Sequence, residues 1–143
     1  MLLLPFMGFC QSAEDSIKIT VNRLFEAMIT SDGGKVSGTF SESAVLQTIT
    51  SDENGSALVK NEKVAEFSQS VGKWASGDAD ERIQFGTIKI DGPLAMVWAP
   101  YQFFYKGKFS HCGVDVFQLV RFKDGWKIVY LIDTRRKSPC LSN

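Results

Sequence analysis

His111, the single histidine of the chain, stands two residues before Gly113 and four before Asp115, in a run that otherwise reads as buried sheet. Thr134 and Arg136 lie near the end of the next apolar run. Polar groups in such strands need partners, because an unpaired polar group in an apolar interior is costly. An imidazole, a carboxylate, a hydroxyl and a guanidinium can fix the polar atoms of a small molecule, and the first two can also move a proton. Spacing favours the first use. Four residues of strand separate the His111 and Asp115 Cα atoms by roughly 13 Å, so the two cannot form a direct dyad. Each is expected to touch a different part of one ligand, with Gly113 leaving room between them and Arg136 reaching Asp115 from the neighbouring strand. An Arg136 contact would hold the Asp115 pKa low, which suits anchoring better than proton abstraction. The alternative without a ligand is a satisfied cross-strand contact of Asp115 with Thr134 or Arg136, His111 being an ordinary half-buried strand residue.

The elements that would carry these groups follow from periodicity. A two-residue turn at Asp124-Gly125 pairs Lys123 with Trp126 and, counting outward, Asp115 with Thr134 and Gly113 with Arg136. A slip of one residue would bring Asp133 and Arg135 to the His111 face instead. The preceding strand, 94–105, alternates so that Ala95, Val97, Ala99, Tyr101 and Phe103 face inward. Tyr101 and Phe103 then offer apolar surface to a ligand, while Trp98 and Trp126 read as packing residues. From Glu81 the pattern has period two, with a phase change at Gly86 that predicts a bulge.

Upstream the period is helical. Ser12 and Asp15 form a capping signal, and Ile17, Val21, Leu24, Phe25 and Met28 recur on one face until Ser31-Asp32-Gly33-Gly34. A short helical turn over 35–39, a hairpin of strands 44–50 and 57–60, and a second amphipathic helix capped by Asn61 and ended by Gly77 complete the set. Helices first and a long antiparallel meander last make an α+β domain whose sheet curves around the helices.

Composition narrows the function classes. The chain has 143 residues, enough for one core, and its 16 Lys and Arg balance 16 Asp and Glu. It therefore lacks the basic field that nucleic-acid binding requires. Aromatic residues make up 12%, including eleven Phe, five of them between 103 and 122. They would line a cavity or simply build a β-rich core. One His and no CxxC spacing argue against a metal, and without a Ser-His-Asp order, a glycine-rich phosphate loop or paired acids at helical spacing the common hydrolase, nucleotide-binding and metal-enzyme templates lack support, so no cofactor is expected. Residues 1–12 read as the remnant of a secretory signal peptide, too short an apolar run to span a bilayer, with a single domain over 13–143. In an exported protein Cys112 and Cys140, at neighbouring ends of the last two strands, would close a loop worth about 3 kcal/mol.

The chain resembles the nuclear transport factor 2-like superfamily, most closely the branch named "putative lumazine-binding", near the SnoaL-like polyketide cyclases. Carrying the likeness are Leu24-Phe25-Glu26-Ala27-Met28, Phe40-Ser41-Glu42-Ser43-Ala44-Val45-Leu46, Gly92-Pro93-Leu94-Ala95-Met96-Val97, His111-Cys112-Gly113-Val114-Asp115, Gly125-Trp126-Lys127-Ile128 and Asp133-Thr134-Arg135. The resemblance implies a cone of curved sheet around helices (a cystatin-like roll), a cavity at its open end, and a homodimer through the outer sheet face. It does not choose a chemistry, because this fold hosts binders and enzymes alike. The leading expectation is a domain that binds a small, partly aromatic molecule through His111, Asp115, Arg136, Thr134, Tyr101 and Phe103. The rival is an isomerase, cyclase or dehydratase of the SnoaL-like or ketosteroid-isomerase type with His111 or Asp115 as general base.

Overall fold

The computed structural model describes residues 11–140; residues 1–10, which carry most of the signal-peptide reading, lie outside the described residues. Helix α1 (Ala13–Ile29) begins where the sequence signals it, the Ser12 hydroxyl accepting from the Asp15 amide at 3.1 Å. Its buried stripe of Ile17, Val21, Leu24 and Met28 lies on the inner face of the sheet. Asp32 caps α2 (Gly33–Thr39) by accepting from the Lys35 amide. Gly33 is required there, because a Cβ would stand 2.3 Å from the Ser68 carbonyl oxygen of α3 (Val64–Lys73). Asn61 does not cap α3. It lies in β2, where its Oδ1 accepts from Gln47 Nε2 across the hairpin, and Lys63 takes the cap position without a side-chain bond.

The strands are β1 (Phe40–Ser51), β2 (Ala57–Glu62), β3 (Ala79–Ile83), β4 (Thr87–Asp91), β5 (Leu94–Tyr105), β6 (Lys108–Phe122) and β7 (Gly125–Thr134). They form one curved sheet in the order β2-β1-β7-β6-β5-β3, with β4 pairing β5 beyond the end of β3. The sheet is mixed rather than wholly antiparallel, since β1 runs parallel to β7. The anticipated bulge sits between β3 and β4. Ile83 pairs with Tyr101 and Thr87 with Trp98, so four steps on one strand match three on the other. Gly86 belongs there because its amide donates to the Trp98 carbonyl, and a Cβ would lie 2.9 Å from that oxygen.

Ala95, Val97, Ala99 and Tyr101 point inward as their alternation predicts. Together with α1 they enclose Phe117, Leu119 and Ile128, and Phe25 meets Phe117 edge to face at 6.2 Å. Trp126 is buried, whereas Trp98 stands 47% exposed on the outer face and takes no part in this core.

The β6–β7 register departs from the sequence expectation in two steps. The connecting loop is Lys123-Asp124, closed by the pair Phe122 and Gly125, with Gly125 at φ 114°. That moves every partner by two and leaves the faces unchanged. Leu119 then pairs with Ile128 but Gln118 with Tyr130, so Val129 is an extra residue in β7. One extra residue reverses the faces beyond it. Asp115 therefore lies opposite Asp133, and Cys112 opposite Arg136.

Candidate functional site

Between α1, α3 and the curved sheet a cavity of about 230 Å³ remains open. Phe25, Phe67, Trp74, Phe103, Tyr105 and His111 supply its aromatic walls, with Leu24, Met28, Leu46 and Leu131 between them. Its polar groups come from five strands: Thr48 on β1, Glu62 on β2, Glu81 on β3, Asp115 on β6, and Asp133 with Arg135 at the end of β7. This volume is below the about 300–1,000 Å³ of drug-sized sites, so the space suits a small ligand.

Two carboxyls of this floor lie in different surroundings. Asp133 is fully engaged: one oxygen accepts from the Thr48 hydroxyl, the other from Arg135 Nε at 2.8 Å and from the Tyr101 hydroxyl at 3.1 Å. Arg135 also donates to the Thr48 hydroxyl at 3.0 Å, and its side chain, 48% exposed, lies half in solvent. The Tyr101 hydroxyl shares its one proton between Asp133 and the Thr134 carbonyl, the latter at 2.8 Å. Burial, with Asp133, Glu81 and Asp115 nearby, pushes the Tyr101 phenol well above its ordinary value and keeps it a donor.

Among the described residues Asp115 has no counter-ion in contact. It is 3% exposed, its carboxyl lies beside that of Glu81, and its Oδ2 receives no N–H or O–H from a neighbouring amide, hydroxyl or basic group. Burial first, and then the charge of Glu81, raise its pKa well above the carboxylate range. Glu81 is pushed up by burial to about 7, with the Asp115 hydrogen bond working in the opposite direction. Two carboxyls this close hold on to one proton between them, and here Asp115 keeps it while Glu81 ionises first. The expected Asp115–Arg136 pairing and lowered Asp115 pKa are therefore corrected: burial beside a second acid, with Arg136 elsewhere, reverses the direction.

His111 and Phe103 line the cavity, their rings 5.0 Å apart, and Tyr101 meets His111 edge to face at 5.7 Å. His111 Nδ1 lies 3.0 Å from the Ser110 hydroxyl. Burial, then Arg135, lower its pKa, so the imidazole is neutral at pH 7. Tyr101 lies beneath the floor and acts on the cavity through Asp133. Thr134 and Arg136 are not brought to the site. The Thr134 hydroxyl accepts from the Val114 amide at 3.0 Å, and Arg136 Nε donates to the Pro139 carbonyl at 2.6 Å. The Val129 bulge is the reason, since it turns Asp133 and Arg135 inward in their place. Nor does Gly113 leave room for a ligand. A Cβ there would lie 1.8 Å from the Thr134 carbonyl oxygen, so the backbone of β7 already occupies that space.

Glu81, Asp133, Arg135, Thr48 and Glu62 are the polar site residues that sequence patterning did not select. Asp133 and Arg135 were within one step of register. Glu81 shares the phase of Ile83, whose partner Tyr101 faces inward, so alternation carried a signal for it. The disulfide expected of an exported chain is formed: Cys112 and Cys140 are bonded, with Cα atoms 5.8 Å apart. It ties the segment after β7 to β6 beside His111. Among the described residues, no group of three or more His, Cys, Asp or Glu side chains is placed to hold a metal ion, and no helix is long and apolar enough to cross a membrane.

Solved structures share this architecture. A nuclear transport factor 2-like protein of unknown function from Shewanella baltica matches over 92% of this chain and 99% of its own, at TM-score 0.68 and 15% identity. A domain of unknown function with a cystatin-like fold from Nostoc punctiforme matches over 88% and 78%, at TM-score 0.68 and 18% identity. A nuclear transport factor 2-like protein with a cystatin-like fold from Novosphingobium aromaticivorans matches over 89% and 84%, at TM-score 0.67 and 12% identity. Likeness at these identities establishes the fold. No curated protein sequence matches the chain. The family described as "Putative lumazine-binding" matches residues 12–131, nearly all of the structure from α1 into β7, and the chain belongs to that family.

Proposed function

We propose that the cavity binds a small, partly aromatic molecule whose hydrogen-bond donor completes the Asp115–Glu81 pair. The observation that carries this reading is the Asp115 Oδ2 atom, buried without a donor on the polar floor of a cavity whose walls are aromatic. A buried acceptor left unpaired costs about 1–3 kcal/mol, and a ligand N–H or O–H would recover it. Ring N–H groups of a lumazine-type heterocycle, the ligand in the family's description, are donors of this kind. Native mass spectrometry of the protein purified from its host tests the reading. The expected result is a retained small molecule that Asp115→Ala loses while keeping its fold. Equal occupancy in the two proteins, or none in either, would overturn it.

One observation favours a second reading. Glu81, half-ionised near neutrality beside a carboxyl that keeps its proton, is a base next to an acid, the pairing that isomerases and dehydratases use. In that reading Glu81 replaces His111 or Asp115 as the base. Absorbance of a conjugated ketone formed from a β,γ-unsaturated ketone would report it, with Glu81→Gln losing the rate; no conversion by the wild type of such ketones would remove this reading.

Two further parts of the proposal concern setting and assembly. The apolar residues 1–10 and the Cys112–Cys140 bond support export, which sequencing of the mature N-terminus checks; a mature chain beginning at Met1 would contradict it. Trp98, Leu94 and Met96 on the outward face of β5 support a homodimer through that face. Trp98→Glu is then expected to give a monomer by light scattering.

A further inference from the structure

The charges around the cavity do not balance. Arg135 is the one cation among the lining residues, and it is committed to Asp133 and Thr48. Glu81 and Asp115 on β3 and β6 have no cation of their own, and Glu62 on β2 adds a further carboxyl at the mouth. His111 on β6 is neutral and Tyr101 on β5 stays protonated, so neither offsets them. Nearby basic side chains point elsewhere: Arg82, next to Glu81 in β3, pairs with Asp80, and Lys137 donates to the Ser110 carbonyl. Low-dielectric walls focus the resulting negative field into the cavity. The Oδ2 of Asp115, in a residue only 3% exposed, asks for a donor in the same place.

Resting on the binding reading above, we infer that the natural ligand is an organic cation, an amine or amidinium on an apolar or aromatic body, with its N–H groups on the Asp115–Glu81 pair. The aromatic walls fit this charge as well as the carboxyls do, because ring faces attract a desolvated cation. Phe67, Trp74, Phe103 and Tyr105 would surround the body while the two acids hold the head group. The cation takes the place of the proton that Glu81 carries until it ionises. Binding therefore releases that proton wherever Glu81 still holds it, and affinity rises with pH through the range in which Glu81 ionises. A neutral ligand held by the Glu81 proton would show the opposite slope.

Three isosteric probes separate these cases: benzylamine, which stays protonated from about pH 5.5 to 8, benzyl alcohol, and benzoate. Each is titrated while the Trp74 indole and His111 ring resonances are followed, and benzylamine is repeated by calorimetry in two buffers of different ionisation enthalpy. The expected result is that benzylamine binds at least about tenfold tighter than benzyl alcohol, gains at least about tenfold between about pH 5.5 and 8, and releases a proton at the lower pH. Glu81→Gln is expected to remove both the preference and the proton release while benzyl alcohol still shifts the Trp74 signal, which shows that the cavity is intact. Benzyl alcohol or benzoate binding as tightly as benzylamine, or an affinity that falls as pH rises, would overturn the cation inference and leave the binding reading standing. If no probe moved either resonance, both would fall.

Discussion

The two halves of the β6–β7 hairpin bury opposite chemistries. On the turn side of Val129, Leu119 faces Ile128, and both are fully buried in the core to which α1 brings Ile17 and Val21. Beyond Val129, Asp115 faces Asp133, and both line the cavity. The aliphatic half needs only volume, since dispersion and burial have no direction. The acidic half needs partners at fixed angles and draws them from β1, β3 and β5. One half of a strand pair holds the fold together, and the other spends part of that stability on a site.

The strongest way to break this comparison is to truncate one side chain in each half. Ile128→Ala is expected to lose about 3–4 kcal/mol by denaturant unfolding, through lost burial and the cavity left behind. Asp115→Asn should leave stability within about 1 kcal/mol of wild type or raise it, because it removes a buried acid held away from its ordinary ionisation. A loss at Asp115 as large as at Ile128 would show that the acidic half is structural. Next in size is the disulfide beside His111. Its 28-residue separation gives about 3 kcal/mol by loop closure, so Cys112→Ser with Cys140→Ser should lower the unfolding free energy by that order.

A smaller effect sharpens the electrostatic side. Unfolded Glu81 ionises in the ordinary carboxylate range, whereas in the folded chain it ionises at about 7. Between those values the native state binds more protons than the unfolded one, so stability falls as pH rises through that window. The loss is expected to be on the order of 1–2 kcal/mol between about pH 5 and 7.5, allowing for partial exposure of Glu81, and Glu81→Gln should flatten much of it. A stability that rises across the window would contradict the buried acid pair. The smallest effect belongs to Arg135→Gln. A half-exposed ion pair contributes about 0.5–1 kcal/mol, and Asp133 keeps Thr48 and Tyr101 as partners.

Much of the architecture was legible because it is written in short-range pattern. The Ser12 cap, the stripe along α1, the β1–β2 hairpin and the inward set on β5 each follow from spacing within a dozen residues. The site was less legible. Polar residues in β6 pointed to the right strand, and His111, Asp115 and Phe103 do line the cavity. Which β7 residues join them depended on a bulge at Val129, an ordinary β-forming residue with no glycine to mark it. Glu81 was hidden for another reason: its partner Asp115 lies 34 positions away on a strand that is not its neighbour, since β5 runs between them. Gly113 illustrates the same limit, because its absent side chain accommodates the Thr134 carbonyl rather than a ligand.

The parallel pairing of β1 with β7 has a consequence for how the molecule is made. Thr48 and Asp133 are 85 positions apart, so the floor of the cavity closes only when the last strand docks beside the first. Pairings of such long range form late, after the entropy of a large loop has been overcome. During synthesis β1 must wait with its β7 edge unpaired until residues near 133 emerge. The binding site is thus among the last features to exist, and only a chain whose last strand has docked can hold a ligand there.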